Sequence, residues 1–404
     1  MTDSIKIPPT RPMTPKYFQD PFPTYQWLRD NAPVYPAPVP YGPKHIWMVT
    51  RYNDVKAVLV DPRFSSDPKY AGPALKMFTE MLDAFSGAAS MNSTDGADHE
   101  RIRSVAARAF TTRSAARWRE VIASAVEQLL DSHASGERID LMMSYAYPLP
   151  IMVICEVLGI PTADQGQLGR WVHAMSSTEP AERANVPVYV RELREYTRAT
   201  IAAKRAAPDD RLLTSIITAC DEEGQLTHEE LVVMVAGFFV AGYDTTANLI
   251  ANGVLALLDH PDQLGLLIEH PDLASAAVDE ILRYTDTATS QWRWTTEAVE
   301  VAGVTIPAGE TVFPVLGAAH RDPTAFPSPN EFRITRRPNA HIGFGYGVHR
   351  CLGAALAKLE TEVAVPALFR RFPALRLDCE RSEIWYKPAM IIRSPAAVPV
   401  IPLH

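Results

Sequence analysis

Cysteine is scarce in this sequence, which contains four in 404 residues: Cys155, Cys220, Cys351 and Cys379. They form no CxxC pair and their spacing is irregular, so neither a disulfide framework nor a zinc ribbon is indicated. Isolated thiols of this kind are typical of a reducing compartment, and we expect the protein to be cytoplasmic.

Positive charge is also in short supply. The 39 Lys and Arg residues are outnumbered by 47 Asp and Glu residues, which gives a formal net charge of −8. Nucleic acids are bound through clustered excess positive charge, so no nucleic acid is expected as the main partner. The N-terminus lacks an apolar run long enough for a signal peptide, and no segment is predicted to span a membrane.

A linker between domains is missing as well. The apolar fraction of 47% and the charged fraction of 21% are those of an ordinary globular protein. The 34 prolines are spread along the chain and are not gathered in one stretch. We therefore predict a single domain over residues 1–404.

Local patterns predict a mainly α-helical protein with a smaller β region. A strand is predicted over 45–51, and a hairpin over 299–315 with its turn at the "PAG" of 307–309. Predicted helices cover 21–32, 53–61, two segments between 98 and 133 with the second starting near 114, then about 141–158, 164–176, 187–206, 272–285 and 352–370.

The longest predicted helix begins at a capping box. Thr227 is followed three residues later by Glu230, then by the apolar run of 231–259, and Pro261 limits the helix. A helix that is apolar on all sides must run through the core.

Polar residues interrupt this helix at "AGYDTT", which contains Gly242, Asp244, Thr245 and Thr246. A buried carboxylate destabilises the fold unless it is paired. The motif is compatible with a local kink, in which threonine hydroxyls bond to the preceding turn. It is equally compatible with a widened groove in which an acid and an alcohol handle protons beside a ligand, and the motif alone does not separate the two.

A second polar motif is "EILR", with Glu280 and Arg283 spaced for one face of a helix. The apolar neighbours indicate that this helix is buried, and a buried ion pair needs further hydrogen-bonding partners. Arg336 is the candidate for a third member.

The stretch "FGYGVHRCLG" places Cys351 among glycines and before a predicted helix. Gly345, Gly347 and Gly353 allow tight turns or close approach to a flat ligand. A sulfur at a helix N-terminus is favoured as a thiolate, which is a good iron ligand.

Cys351 could also have a simpler role. An isolated buried cysteine is most often a small core residue. His341 and His349 suggest zinc, but no further ligand stands at usable spacing.

Together these motifs resemble the cytochrome P450 superfamily. "FGYGVHRCLGAALAKLE" is similar to its haem-thiolate loop, "AGYDTT" to its oxygen-activating helix and "EILR" to its Glu-x-x-Arg helix. Stretches such as "DHERIRSVAARAF" and "AAHRDPTAFPSPNEF" extend the resemblance, in the family's order, over nearly the whole chain. The resemblance implies the single-domain P450 fold, with haem between the long central helix and the helix after the cysteine loop.

The resemblance also implies site residues. Cys351 is the implied iron ligand of haem b (iron protoporphyrin IX), and Asp244 and Thr245 are the implied acid and alcohol that deliver protons during oxygen activation. The other implied haem-binding residues are His99, Arg103, Arg293 and His349 at the propionates, Phe344 beside the macrocycle and Gly353 in the loop. The implied substrate pocket takes in the loop 66–97, the helices around 164–195 and Gly237, Phe238, Val240, Ala241, Ala288, Thr289, Met390 and Ile391. Trp292 and Trp294 have no role assigned.

The predicted activity is that of a monooxygenase that inserts one atom of O2 into a medium-sized, largely apolar molecule of secondary metabolism. The sequence has no ferredoxin cysteine set and no GxGxxG at a strand-to-helix turn, so a separate ferredoxin and reductase are expected to supply electrons to a monomer. A peroxygenase driven by H2O2 and a haem-thiolate protein without turnover are the alternatives, and the pair Asp244 and Thr245 weighs against both.

Overall fold

The computed structural model describes residues 7–39, 45–71, 89–109 and 112–404. Contacts group them into two compact units. Unit 1 holds the described parts of Met1–Glu80, Asp279–Cys351 and Trp385–Ser394. Unit 2 holds the described parts of Met81–Val278, Leu352–Ile384 and Pro395–His404. The mainly α architecture with a smaller β region is confirmed, and the count of one domain over 1–404 stays a prediction.

The β region divides into three sheets within the described residues. The strands are β1 (Val34–Pro38), β2 (His45–Val49), β3 (Phe64–Ser65), β4 (Ile139–Asp140), β5 (Arg293–Thr295), β6 (Val299–Val301), β7 (Val304–Ile306), β8 (Thr311–Pro314), β9 (Arg376–Leu377) and β10 (Pro399–Ile401). Unit 1 contains the sheet β1-β2-β8-β5-β3, in which β2 and β8 are parallel and the other neighbours antiparallel. Unit 2 contains the sheet β4-β10-β9.

The predicted hairpin forms, but with a different turn. β6 and β7 pair so that Val301 faces Val304, which leaves Ala302 and Gly303 as the turn, with φ of +48° and +79°. Two consecutive residues with positive φ give the two-residue turn whose twist matches that of the strands. The predicted turn at 307–309 is therefore wrong: this segment leads into β8, which pairs with β2 and β5.

Helices make up most of the described chain. They are Pro15–Gln19, Phe22–Asn31, Tyr52–Val60, Gly96–Ala109, Thr112–Asp131, Pro148–Leu158, Gln165–Ser176, Pro180–Arg183, Val186–Ala206, Leu212–Glu223, His228–Asp259, Pro261–Glu269, Ala274–Tyr284, Leu316–Ala319 and Ala354–Arg371. Short 3₁₀ turns lie at Pro68–Tyr70, Thr162–Asp164, Pro271–Leu273 and Arg381–Glu383, and a π-helical turn lies at Met142–Ala146.

The long helix His228–Asp259 has the capping box that the sequence predicts. Thr227 Oγ1 accepts from the Glu230 amide at 3.2 Å, and the Thr227 amide donates to Glu230 Oε2 at 2.8 Å. The helix is long and apolar enough to cross a membrane by length and composition, but 61% of its most apolar window is buried within the protein. In unit 2 it packs against Pro148–Leu158 and Ala354–Arg371, as a core helix does.

Two helices in this region are not among the predicted elements. Leu212–Glu223 buries Leu213, Ile216, Ile217 and Cys220, a helical spacing that is visible in the sequence. The second helix, Pro261–Glu269, starts at the proline that limits the long helix. Proline is well suited to the first turn of a helix, so Pro261 ends one helix and begins the next.

Candidate active site

Two glycines shape the loop that carries Cys351 in unit 1. Gly345 and Gly347 have φ of +76° and +79°, a region that L-residues rarely adopt. A Cβ at Gly345 would lie 2.6 Å from Gln291 Nε2, and one at Gly347 would lie 3.0 Å from the backbone oxygen of Leu59. Both positions therefore need glycine for backbone conformation and for space.

The loop presents the sulfur of Cys351 differently from the other thiols. The Cys351 amide donates to the Phe344 carbonyl at 2.8 Å, which closes the loop, and the residue is exposed. Burial raises the pKa of the Cys155 thiol to about 12 and also raises the pKa values of Cys220 and Cys379. Of the four cysteines, Cys351 is thus the one the chain leaves open to a ligand.

The helix after the loop starts later than predicted. Its first residue is Ala354, with Gly353 as the N-cap, so Leu352 belongs to the preceding turn. A Cβ at Gly353 would meet nothing within 4 Å, which leaves open space at this point. His349 is partly buried in the same loop.

Arg293 reaches the loop through one intermediate side chain. Its guanidinium is buried and donates to the Trp292 carbonyl at 2.7 Å and to Gln291 Oε1 at 3.2 Å. Gln291 is the side chain that leaves no room for a Cβ at Gly345. Both neighbouring tryptophans pack in unit 1: Trp294 is buried in β5, and Trp292 meets Phe313 edge to face with ring centroids 4.9 Å apart.

The predicted ion cluster around Glu280 is present and fully buried. Arg283 forms two hydrogen bonds of 2.8 Å with the Glu280 carboxylate, and Arg336 Nε lies 3.0 Å from Glu280 Oε1. Asn339 Nδ2 donates to Glu280 Oε2 at 3.2 Å. Arg336 is confirmed as the third member, so the negative charge is shared by two cations and an amide.

His320 links this cluster to the start of the cysteine loop, and sequence reasoning missed it. Its carbonyl accepts from Arg283 at 3.0 Å, while its Nε2 accepts from the Ile342 amide at 2.9 Å. Burial holds the pKa of the imidazole well below its usual range, so the ring is neutral and can accept this bond. The histidine stands in "AAHRDP", a stretch that marked the resemblance, but nothing local in the sequence indicates the contact.

The long helix in unit 2 carries an open stripe, defined here as Gly237, Ala241 and Thr245. These small residues, four positions apart, are exposed, whereas residues 246–257 of the same helix are all buried. Thr245 Oγ1 donates to the Ala241 carbonyl at 2.7 Å, as in the predicted kink. A Cβ at Gly237 would meet nothing within 4 Å. Local back-bonding and an open face therefore occur together.

Asp244 lies beside the open stripe and is hydrogen-bonded from two directions. Tyr147 donates to its Oδ1 at 3.1 Å, and Asn248 Nδ2 donates to the same oxygen at 3.1 Å. Tyr147 was not predicted as a site residue. It stands 97 positions away in the sequence, so no local pattern indicates the contact.

His99 and Arg103 share one face of Gly96–Ala109 in unit 2. His99 is buried, and Arg103 Nη1 lies 3.9 Å from Met91 Sδ. Their predicted role at the haem propionates stays a prediction.

The predicted pocket residues form one group in each unit. In unit 1 the Thr289 amide donates to the Ile391 carbonyl at 3.0 Å, and Ala288 forms a β-bridge with Ile392. Thr289 and Met390 line one cavity of about 20 Å³. In unit 2 the partly buried Phe238 and Val240 border the open stripe. Of the predicted loop 66–97, residues 72–88 lie outside the described residues.

Comparison with known proteins shows which family the chain resembles. The family model described as "Cytochrome P450" matches residues 180–265 and 266–392. The chain is 40% identical over 388 residues to a vitamin D(3) 25-hydroxylase of Pseudonocardia autotrophica, covering 95% of this chain and 94% of that protein. It is 40% identical over 385 residues to the cytochrome P450 monooxygenase PikC of Streptomyces venezuelae, covering 94% of this chain and 91% of PikC.

The solved structures agree with this result. The cytochrome P450 PksS of the Bacillus subtilis 168 bacillaene polyketide synthase superposes with a TM-score of 0.89 at 34% identity. The match covers 98% of this chain and 100% of that one.

Proposed function

The chain belongs to the cytochrome P450 family and is a haem-dependent monooxygenase, and we propose that it oxidises a medium-sized, largely apolar molecule of secondary metabolism. The observation that carries the proposal is the open stripe, where Thr245 is exposed beside Asp244 on a mostly buried helix. Hydroxylation is the proposed reaction. The substrate itself is to be found by screening.

The described residues fit the iron porphyrin that the family uses, which we propose to be haem b. Cys351 is exposed, and the loop around it has glycines at the two tight positions. A Cβ on Gly353, two residues after Cys351, would meet nothing within 4 Å. A soft thiolate and uncrowded flat surfaces are the features that an iron porphyrin requires.

Cys351 would hold the iron, and Phe344 and Gly353 would lie beside the macrocycle. His99, Arg103, Arg293 and His349 are proposed to hold the two propionates, because buried carboxylates need charged or N–H donors. When bound, the haem supplies the oxygen-activating chemistry, with electron density contributed by the thiolate.

Protons are the part of the reaction that the chain's own residues handle. Thr245 keeps its hydroxyl hydrogen on the Ala241 carbonyl, so its oxygen can accept a hydrogen bond from a group on the open side. Asp244, one residue earlier, is the acid that can supply a proton on this side of the helix. We assign these two residues to proton delivery.

The size and polarity of the open face support the proposed substrate class. Gly237 and Ala241 leave room on the long helix, and the bordering side chains Phe238 and Val240 are apolar. The similar protein from P. autotrophica is named for vitamin D(3), a bulky apolar compound. A largely apolar pocket with few polar groups favours a ligand of this kind.

Electrons are proposed to come from a separate ferredoxin-type protein that docks beside the cysteine loop of a cytoplasmic monomer. Tyr346 and Val348 are exposed apolar residues of this loop, and Lys56 Nζ lies 4.3 Å from the centre of the Tyr346 ring. Arg350 is exposed next to them. An apolar patch bordered by cations suits a small acidic partner.

Charge reversal tests this docking site. Arg350→Glu is expected to slow reduction by a surrogate ferredoxin without changing substrate affinity, because rim charges act mainly on association. Arg11→Glu makes the same charge change at another exposed arginine of unit 1 and serves as the control. Equal reduction rates in the two variants would remove Arg350 from the proposed docking site.

Isotope labelling tests the function. A compound library is first screened by spectral titration, and a binder is incubated with the haem-loaded protein, NAD(P)H, surrogate ferredoxin and reductase under ¹⁸O₂. The proposal predicts one ¹⁸O atom in the product, and Thr245→Ala is expected to divert electrons to H2O2. Product formation with H2O2 but not with O2 would favour the peroxygenase, and binding without product would favour a ligand-binding protein.

A further inference from the structure

Two stacked tyrosines lie next to the Asp244 carboxyl in unit 2. The rings of Tyr147 and Tyr243 have centroids 5.0 Å apart and an interplanar angle of 18°, and both residues are buried. Tyr147 donates its hydroxyl hydrogen to Asp244 Oδ1 at 3.1 Å. The Tyr243 hydroxyl instead lies 3.3 Å from Nδ1 of His173. The stack therefore contains one phenol bonded to the acid and an equally buried phenol bonded elsewhere.

These contacts fix the orientation of the acid. Asn248, which is fully buried, donates to both the main-chain oxygen of Asp244 at 2.7 Å and its Oδ1 at 3.1 Å. With the Tyr147 bond, two donors from different elements meet on the same carboxylate oxygen. Because Oδ1 is held from two sides, the plane of the carboxyl group and the direction of Oδ2 are set.

The backbone before Tyr147 has an uncommon geometry. Met142–Ala146 forms a π-helical turn, and the Tyr147 amide closes it by donating to the Met142 carbonyl at 2.9 Å. Such turns are rare and often occur at functional sites. The turn is also anchored, since Tyr145 donates to the Ala364 carbonyl at 2.8 Å.

The ring of Tyr147 has little freedom to move. It is stacked on Tyr243 on one side, and the His173 ring meets it edge to face with centroids 5.0 Å apart. Burial and the charge of Asp244 raise the pKa of the Tyr243 phenol, so that side chain stays protonated and neutral. Tyr147 thus reaches Asp244 from a closely packed aromatic cluster.

We propose that Tyr147 is a positioning residue for proton delivery, which aims the Asp244 carboxyl and weakens its hold on a proton. A hydrogen bond to the ionised form of an acid favours that form. The Tyr147 hydroxyl therefore makes Asp244 a stronger acid, which releases its proton more readily beside Thr245. This role rests on the proposed function, in which Asp244 supplies protons.

Carbon-13 NMR measures the effect without turnover. The haem-loaded protein is labelled at the aspartate carboxyl carbons, and Asp244→Asn identifies the signal of Asp244. In Tyr147→Phe one donor to the carboxylate is lost, so the pKa of Asp244 is expected to rise by about one unit relative to the wild type. Tyr243→Phe removes the stacked phenol that bonds to His173, and it is the matched control.

The titration is repeated in a His173→Asn background, because histidine changes charge near neutral pH and this ring contacts both tyrosines. The shift caused by Tyr147→Phe is expected to remain in that background. If the Asp244 titration in Tyr147→Phe coincides with that of the wild type, the proposal is overturned. The same holds if Tyr243→Phe shifts the titration as much as Tyr147→Phe does.

A second variant covers the case in which Tyr147→Phe does not fold. 3,5-Difluorotyrosine at position 147 keeps the ring and makes the hydroxyl a stronger donor, so the pKa of Asp244 is expected to fall below the wild-type value. An unchanged or raised pKa would count against Tyr147. A separate experiment tests the proposed function. If Asp244→Asn leaves ¹⁸O incorporation and H2O2 release unchanged, Asp244 is not the proton-delivering acid, whatever the NMR titration shows.

Discussion

Replacing Glu360 with glutamine tests how one buried carboxyl makes the free energy of unfolding depend on pH. Glu360 lies on the helix Ala354–Arg371 and is 3% exposed, and its Oε2 has no hydrogen-bond partner among the described residues. Burial raises the pKa of this carboxyl from its ordinary 4.5 to about 8, because the interior disfavours the charged form.

The sign and size of the change in stability with pH follow from the difference between the pKa of Glu360 in the folded protein and its ordinary value. Between the two pKa values the folded protein holds a proton that the unfolded chain has released. The stability that depends on the neutral acid is complete below pH 4.5 and is lost as the pH rises through about 8. Each pH unit in this window lowers the free energy of unfolding by up to about 1.4 kcal/mol, so the whole window amounts to about 5 kcal/mol.

The assay compares chemical unfolding of haem-loaded wild type and Glu360→Gln, followed by circular dichroism, at about pH 5 and about pH 8. Glutamine keeps the shape and does not titrate, so the variant is expected to gain stability over the wild type as the pH rises. Glu362→Gln is the control on the same helix, since Glu362 is partly exposed and pairs with Arg119 at 3.3 Å. Parallel pH profiles for wild type and Glu360→Gln would refute the reasoning.

Three further predictions concern the stability of unit 1. Gly347→Ala is expected to lower the melting temperature more than Gly136→Ala, because both glycines have positive φ but a Cβ at Gly136 meets nothing within 4 Å; equal losses would mean that the loop has room. Glu280→Gln is expected to lower the free energy of unfolding by about 3–5 kcal/mol, since it leaves two buried guanidiniums without their carboxylate; a loss below about 1 kcal/mol would contradict this. Burial raises the pKa of Asp286 to about 7, so stability that depends on its neutral form is lost between pH 3.8 and about 7. Asp286→Asn is expected to flatten the pH profile of unfolding in that range, and an unchanged slope would count against it.

Local signals in the sequence predicted much of the fold. The capping box at Thr227 places the start of the long helix, and the i, i+3 spacing of Glu280 and Arg283 predicts their pair, because both depend on residues within one turn. The helix Leu212–Glu223 could have been found in the same way, from its apolar spacing.

The sequence did not predict contacts between distant segments. Tyr147 meets Asp244 across 97 positions, and His320 meets the amide of Ile342 across 22. Such hydrogen bonds are decided by how helices and loops pack, which periodicity does not encode. The hairpin turn was misplaced for a related reason: two candidate turns lie close together, and strand pairing rather than composition decides between them.

The carbon monoxide difference spectrum of the reduced, haem-loaded protein tests the central claim most directly. Thiolate ligation by Cys351 predicts the long-wavelength Soret band typical of the family, and Cys351→Ser is expected to abolish it. Cys379→Ser is the control, because burial raises the pKa of that thiol and Cys379 is not proposed to bind the iron. A band that survives in Cys351→Ser, or that disappears in Cys379→Ser, would contradict the assignment of Cys351 as the iron ligand.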